Sequence, residues 1–343
     1  MTYEKWIDVT KGIGILLVIL GHNNFSQSFL SVIHTFNMPL FFFISGYLFH
    51  YSKYKQNPNG FISQKFKRLV VPYFITNIII LCTFTMLSFF KLYSFNGNSP
   101  IKSLIGILYG NGAPLNPPTI FTNILDIPSW FLLSLFCASL ILYIIVYSHE
   151  KHGLPLSIFL SLLFILFGYK ISRYMLLPWS FDIACVSMIF MFSGYLIHYY
   201  KTIWPHNNFK SIFYNFIFVL LLFIVISING SVDMNTRMYS NLFFFGIGGL
   251  LGTKVIIEFA KELSKKESLL TKIFVYFGKN SIIILLYQSF TPMLYLNILN
   301  NFVNINEIIY HSPILGSLNM LIFCIAMIFI IKRVPILNRI YST

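Results

Sequence analysis

Close to twenty apolar residues run together, again and again along the chain, before a basic or turn-forming residue interrupts them. Residues 9–29, 34–51, 69–90, 130–147, 154–170, 181–199, 212–229, 240–259, 279–299 and 314–331 all have this character. A bilayer core about 30 Å thick is crossed by a helix of about 20 such residues, with every backbone polar group satisfied inside the helix. The expected fold is therefore all-α: a polytopic integral membrane helical bundle of about ten transmembrane helices, forming a single domain over residues 1–343. Composition agrees, because only 10% of residues are charged whereas soluble domains carry about a quarter. No small-residue cleavage site follows the first run, which ends in polar HNN, so it is expected to stay as a helix and not to be removed as a signal peptide.

Orientation follows from the basic residues. With the N-terminus placed in the cytoplasm, alternate loops and helix ends on that side collect all but five of the 24 Lys and Arg. Lys91, Lys102, Lys170, Arg173 and Arg237 alone fall outside. That bias obeys the positive-inside rule with an even number of spans and both termini cytoplasmic. The net charge of +14 is thus mainly a topology signal, and nucleic acid is not an expected partner. Cys82, Cys137, Cys185 and Cys324 all lie in apolar runs without metal-ligand spacing, so neither a disulfide framework nor a metal site is expected.

The first run reads KGIGILLVILGHNNF and carries an imidazole at its far end. Eleven residues at about 100° each make three turns plus roughly 20°, so Lys11 and His22 share a helix face, His22 lying about 16 Å deeper. Asp8, three residues before Lys11, joins that face. Ionisable groups within a membrane are costly and normally face a protein interior or wet cavity. A histidine capping the outer helix end, with Lys11 snorkelling inward, is the alternative on position alone. The next run, HTFNMPLFFFISGYLF, brings His34 and Asn37 to a similar depth. Two neighbouring imidazoles suit proton transfer near neutral pH, while Gly46 allows close helix approach.

Taken in order, DVTKGIGILLVILGH, NMPLFFFISGYLF, KFKRLVVPYF, PSWFLLSLF, LPWSFDIACVSMIFMFSGYL and FGKNSIIILL resemble the membrane acyltransferase-3 family, in particular its branch similar to fucose 4-O-acetylases. The resemblance covers nearly the whole chain. It implies a multi-pass enzyme of the bacterial inner membrane that moves an acyl group, generally acetyl, from cytoplasmic acyl-CoA to a hydroxyl of an envelope sugar. The donor is a cosubstrate and no tightly bound cofactor is implied. A basic residue, ten residues and a His match Lys11 to His22, implying a catalytic His22 and a Lys11 that orients or binds near the donor path. Asn37 stands where the family often has a histidine before MPLFF. In LLYQSF, Tyr287 and Gln288 occupy a stretch where another histidine commonly occurs, which leaves His22 the least ambiguous catalytic candidate.

Lys65, Lys67 and Arg68 precede the third run on the expected cytoplasmic side, where basic groups can pair with coenzyme A phosphates or with lipid phosphate. Arg68 is the preferred donor contact because it stands nearest the helix entry, and Pro72 is expected in the first turn of that helix. Lys53 is expected in a solvated loop. Trp130 suits an interfacial belt or a platform for a glycan ring. Lys170, Arg173 and Asp182 are expected on the outer side, as loop anchors or glycan contacts. The Gly-, Pro- and Asn-rich segment from Tyr93 to Asp126 is long enough to form an outer lid. The expected partners are acyl-CoA, an envelope glycan or lipid-linked sugar, and membrane lipids. The competing function is a transporter or flippase of a sugar, which should show internal repeats or paired broken helices; the sequence shows no repeat.

Overall fold

The computed structural model describes residues 4–95, 99–112, 121–123, 125–200, 208–290 and 312–341, with side chains in the helix at 208–229 described from residue 216. Helices dominate, and among the described residues strand pairing is confined to two isolated bridges, Asn111 with Thr122 and Asp233 with Met238. In chain order the helices are α1 (Lys5–Gly21), α2 (Gln27–Tyr47), α3 (Pro58–Lys65), α4 (Val71–Phe89), α5 (Pro100–Tyr109), α6 (Trp130–His152), α7 (Leu154–Ile171), α8 (Phe181–Val186), α9 (Met188–Tyr199), α10 (Asn208–Asn229), α11 (Leu242–Ser264), α12 (Leu269–Lys279), α13 (Ser281–Tyr287), α14 (Pro313–Arg333) and α15 (Pro335–Tyr341).

Six of these stretches are long and apolar enough to cross a bilayer, and eight if each of two bent pairs is one span, among the described residues. The chain is a multi-pass membrane protein. α1, at 17 residues, is one residue short of that length. Part of the ninth expected run, residues 291–299, lies outside the described residues. The sixth run is broken, α8 and α9 meeting at 58°, and the ninth is broken between α12 and α13 at 67°.

Two boundaries move for local reasons. The first run stops at Gly21, and α2 starts at Gln27 instead of 34, because Ser26 caps the second helix by accepting from Phe29 N at 3.4 Å. Pro72 lies in the first turn of α4, as expected, but that turn continues an earlier helix without a break. Residues Pro58–Phe89 form one helical stretch of 32 residues, and a π-helical turn over Phe66–Val70 precedes the proline. Pro72 has no N–H for the Arg68 carbonyl, and its ring would clash with that carbonyl in a regular α-helix; the wider turn relieves both. Asn57 starts this stretch by accepting from Gly60 N at 2.8 Å, with Pro58 in the first position, which suits proline.

Helices pack most closely where glycine meets backbone. A Cβ on Gly12 would strike the Phe274 carbonyl and one on Gly278 the Asp8 carbonyl, so α1 and α12 touch reciprocally. Gly46 and Gly194 do the same for α2 and α9, against Met191 and Phe43. Of the segment expected as a lid, residues 96–98, 113–120 and 124 lie outside the described residues. In the rest, Ile107, Asn123, Leu125 and Asp126 are buried while Ile101, Leu108 and Phe121 are exposed, and Tyr73 donates to the Ile107 carbonyl at 2.8 Å. Cys82 is exposed on α4, while Cys137, Cys185 and Cys324 are buried.

At the end of the bundle where α1 finishes, three connections are tied by one buried ion pair. Arg237 Nε and a terminal nitrogen donate to the two Asp182 oxygens at 2.7 and 3.1 Å, and the remaining nitrogen donates to Asn111 Oδ1 at 2.9 Å. The two side chains are 3% and 0% exposed, so neither charge has water to fall back on. Asp182 is thus a structural partner of Arg237 and is not free to meet a glycan. Arg237→Met leaves the carboxylate unpaired and should cost about 3–5 kcal/mol. The double variant Arg237→Met/Asp182→Leu should recover much of that loss in denaturant unfolding of the solubilised protein.

Candidate functional site

The start of α1, the end of α2, the π-helical turn, the α12–α13 junction and the chain's last helix enclose a cavity of about 590 Å³. Its wall carries Lys11, Lys53, Lys65, Arg68, Lys279 and Lys332, with Asp8 the acidic member. Lys11 and Asp8 are 3.8 Å apart, one turn along α1. Deeper, the lining becomes apolar, with Ile15, Phe41, Ile44, Phe131, Leu132 and Leu135. A cationic mouth over an apolar throat fits a molecule with an anionic head and a long, weakly polar arm.

Each element delivers its charge for a local reason. Lys65 at the start of the π turn and Arg68 within it line the cavity, Lys65 half-buried and Arg68 exposed at its mouth, while Lys67, also exposed, lies outside the lining. The break at Asn280, whose amide donates back to the Tyr276 carbonyl at 2.7 Å, ends α12 and places Lys279 and Ser281 at the cavity wall. α15 folds back so that Asn338 and Tyr341 complete the wall. His50 also lines it; burial first, then the charges of His198 and Lys53, holds its imidazole below the usual range. It therefore faces the cavity neutral at pH 7.

His22 lies at the opposite end of α1, about 16 Å along the helix at about 1.5 Å per residue. It is the residue that caps the C-terminal end of α1, its N–H bonded to the Ile19 carbonyl at 3.2 Å, and it is exposed in an open recess beside His34. His34 lies next to it, with Nε2 3.3 Å from the Gly21 carbonyl. His34 and Asp233 are the titratable groups that act most strongly on the charge of His22. Asp233 is held by its own turn, accepting from Asn235 N at 2.8 Å. Asn37 is buried and accepts from Met38 N at 2.7 Å.

The sequence-derived candidates thus fall into two groups and two outliers. Asp8, Lys11, Lys65 and Arg68 meet in the cavity, and His22 meets His34 in the recess. Asn37 is buried and outside the cavity lining. Trp130 is also outside it: it is 4% exposed and packs beneath Gly112, where an added Cβ would lie 2.6 Å from its ring. Lys53, expected in a solvated loop, lines the cavity. Sequence reasoning also missed Lys279, Lys332 and Tyr341. FGKNS was the available signal for Lys279; nothing local marked the other two. Among the described residues no group of three or more His, Cys, Asp or Glu is placed to hold a metal ion.

If the cationic wall binds a polyanion, charge should decide affinity. Arg68→Ala should weaken binding of inorganic pyrophosphate by about tenfold, as expected for a charge-assisted contact. Lys67→Ala should leave it near the wild-type value. Calorimetry on the solubilised protein at two ionic strengths checks both, since affinity should also fall as salt rises.

A family model described as an acyltransferase domain, Acyl_transf_3, matches residues 4–333. No curated protein and no solved structure matches the chain.

Proposed function

Because this chain belongs to the acyltransferase-3 family and is a membrane acyltransferase, we propose that it moves an acyl group, most simply acetyl, from cytoplasmic acyl-CoA to a hydroxyl of an envelope sugar or polysaccharide precursor. The observation that carries this reading is the cationic cavity joined by α1 to an imidazole recess. Coenzyme A has phosphates for Lys65, Arg68, Lys279 and Lys332, and an extended arm for the apolar throat. Arg68 can grip a phosphate with two parallel donors, and Lys11 stands where mouth becomes throat.

The chemistry assigned to the recess is a base-assisted acyl transfer. His22 takes the proton of the acceptor hydroxyl as its oxygen bonds to the thioester carbon. The carbon–sulfur bond then breaks with its electron pair on sulfur, and the imidazolium returns the proton to the thiolate. No net proton is consumed. His34 orients the turn that carries His22 through the Gly21 carbonyl. In this reading the cavity end is cytoplasmic, the recess faces outward, the bundle has about ten spans with both termini inside, and the membrane is the bacterial inner membrane.

The two bent helix pairs are the feature that favours a transporter, since broken helices there frame a substrate site. Their surroundings favour the enzyme. The break between α12 and α13 opens on the cationic mouth, and the break at Ser187 lies among Val186, Met188 and Phe190, all fully buried.

Mass spectrometry of envelope glycans from cells with and without the gene should differ by one acyl group; glycans identical in mass but mislocated would favour the transporter. A positioned general base contributes about 10² to 10⁴ in rate, so His22→Gln should lose at least about a hundredfold in transfer while reaching the membrane in normal amount. Lys11→Ala should lose less. Near wild-type transfer by His22→Gln would reduce His22 to a helix-end cap.

For orientation, cysteines are introduced at Asn59, Ser264 and Thr236 after replacing the exposed Cys82. An impermeant thiol reagent applied outside intact cells should label only the Thr236 position. Labelling of Asn59 and Thr236 from the same side would overturn the proposed topology.

A further inference from the structure

Between the cavity and the opposite end of the bundle lies a layer of polar side chains that the proposed reaction has not used. Tyr73 and Asn77 of α4 meet Asn123, Asp126 and Ser129 from the buried connection. Asn123 Nδ2 donates to Asn77 Oδ1 at 2.6 Å, and Ser129 Oγ donates to the Asp126 carbonyl at 2.6 Å. Asp126 itself has no exposed surface, and neither of its carboxylate oxygens receives a hydrogen bond. Asn123 Oδ1 and both side-chain polar atoms of Gln288 are likewise buried and without partners.

Position ties these residues together and to the donor cavity. Gln288 follows α13, which packs against the turn at residues 127–129 that begins just after Asp126. Asp126 is close enough to act electrically on the hydroxyls of Tyr73, Tyr287 and Tyr341. Tyr341 also lines the donor cavity, and its hydroxyl is 3.0 Å from that of Tyr287. The Tyr341 hydroxyl also bonds Thr76 of α4, one turn from Tyr73. α13 also packs against α1, the helix that ends at His22.

Hydrogen-bonding capacity identifies the class of guest. Burial holds the Asp126 carboxyl well above the usual carboxylate range, which favours its protonated form, able both to donate and to accept. One Asn oxygen and one Gln oxygen accept, and the Gln amide donates. Buried polar groups in native proteins nearly always have partners, in the chain, in water or in a ligand. A guest that satisfies this set must both give and take hydrogen bonds at closely spaced points, and the adjacent hydroxyls of a sugar ring or other polyol do so. We propose that Asp126, Asn123 and Gln288 form an acceptor subsite, binding hydroxyls of the acceptor other than the one that is acylated. This rests on the acyl-transfer reading above and adds the acceptor's side of it.

The test uses the full-length solubilised protein, radiolabelled acetyl-CoA, and a detergent extract of membranes from cells lacking the gene as acceptor. Asp126→Asn and Gln288→Ala should each raise the half-saturating amount of extract by about tenfold or more, because a site built to bind a hydroxyl loses heavily when its partner is removed. The affinity for acetyl-CoA and the slow release of thiol into water without acceptor should stay within about twofold of wild type. A purely structural role would move those donor-side readouts as well, and Gln288→Ala serves if Asp126→Asn does not fold. Wild-type acceptor saturation in both variants would overturn the subsite and leave the layer to water only, as would equal losses on the donor and acceptor sides. If the wild-type protein releases no thiol from acetyl-CoA at all, the acyl-transfer reading falls first and the subsite with it.

Discussion

Backbone contact between helices, permitted by glycine, is the constraint on which the site depends. Lipid is as apolar as leucine, so helices in a bilayer gain little by hiding side chains from it and associate through close packing. Gly12 and Gly278 give α1 and α12 reciprocal backbone contacts, and those contacts fix Asp8 and Lys11 beside Lys279. Gly46 and Gly194 hold α2 to α9 in the same way, with Ser45 on the cavity side. A methyl group at any of the four would push a helix outward and open the wall on which the cations are mounted.

That geometry marks the limit of what the residue string discloses. Apolar length reveals helices, whereas the Lys11 to His22 interval runs one residue past the end of α1, which stops at Gly21 with His22 as its cap. Lateral neighbours are another matter. The π turn at Phe66–Val70 follows from Pro72, yet a proline near a helix start reads equally well as a first-turn residue, and only the continuity of the stretch back to Pro58 distinguishes the two. Lys53 reads as a loop cation because its neighbours are Ser, Lys, Tyr and Asn, while its place at the cavity is decided by helices far along the chain. Tyr341 belongs to the same class, since it reaches Thr76 across most of the chain's length.

Charges inside the bundle divide by whether the protein answers them. Asp182 is answered by Arg237, whose fork also reaches Asn111, so three connections share one buried pair. Such pairs do little for net stability against an apolar alternative and much for which segments meet. Asp126, in the same connection as Asn111, has no hydrogen-bond partner for its carboxyl oxygens. The contrast separates a clamp from a site: the clamp holds the buried connection in place, and the connection presents Asp126, Asn123 and Ser129 to α4 and α13.

The cation-rich mouth obeys the same rule from the other side. Six basic groups face one cavity with Asp8 as the acidic member of the wall, and like charges at close range raise the energy of the fold they belong to. A chain that needed these cations only to fix its orientation could spread them over its exposed loops, as it does with Lys265 and Lys266. Concentrating them on helix ends braced by a π turn and a helix break places the repulsion where an anionic head group relieves it. Binding then stabilises the fold in proportion to its affinity, because the ligand favours the folded state alone. In the proposed reaction the mouth thereby couples donor capture to the packing of α1, the element that ends at His22.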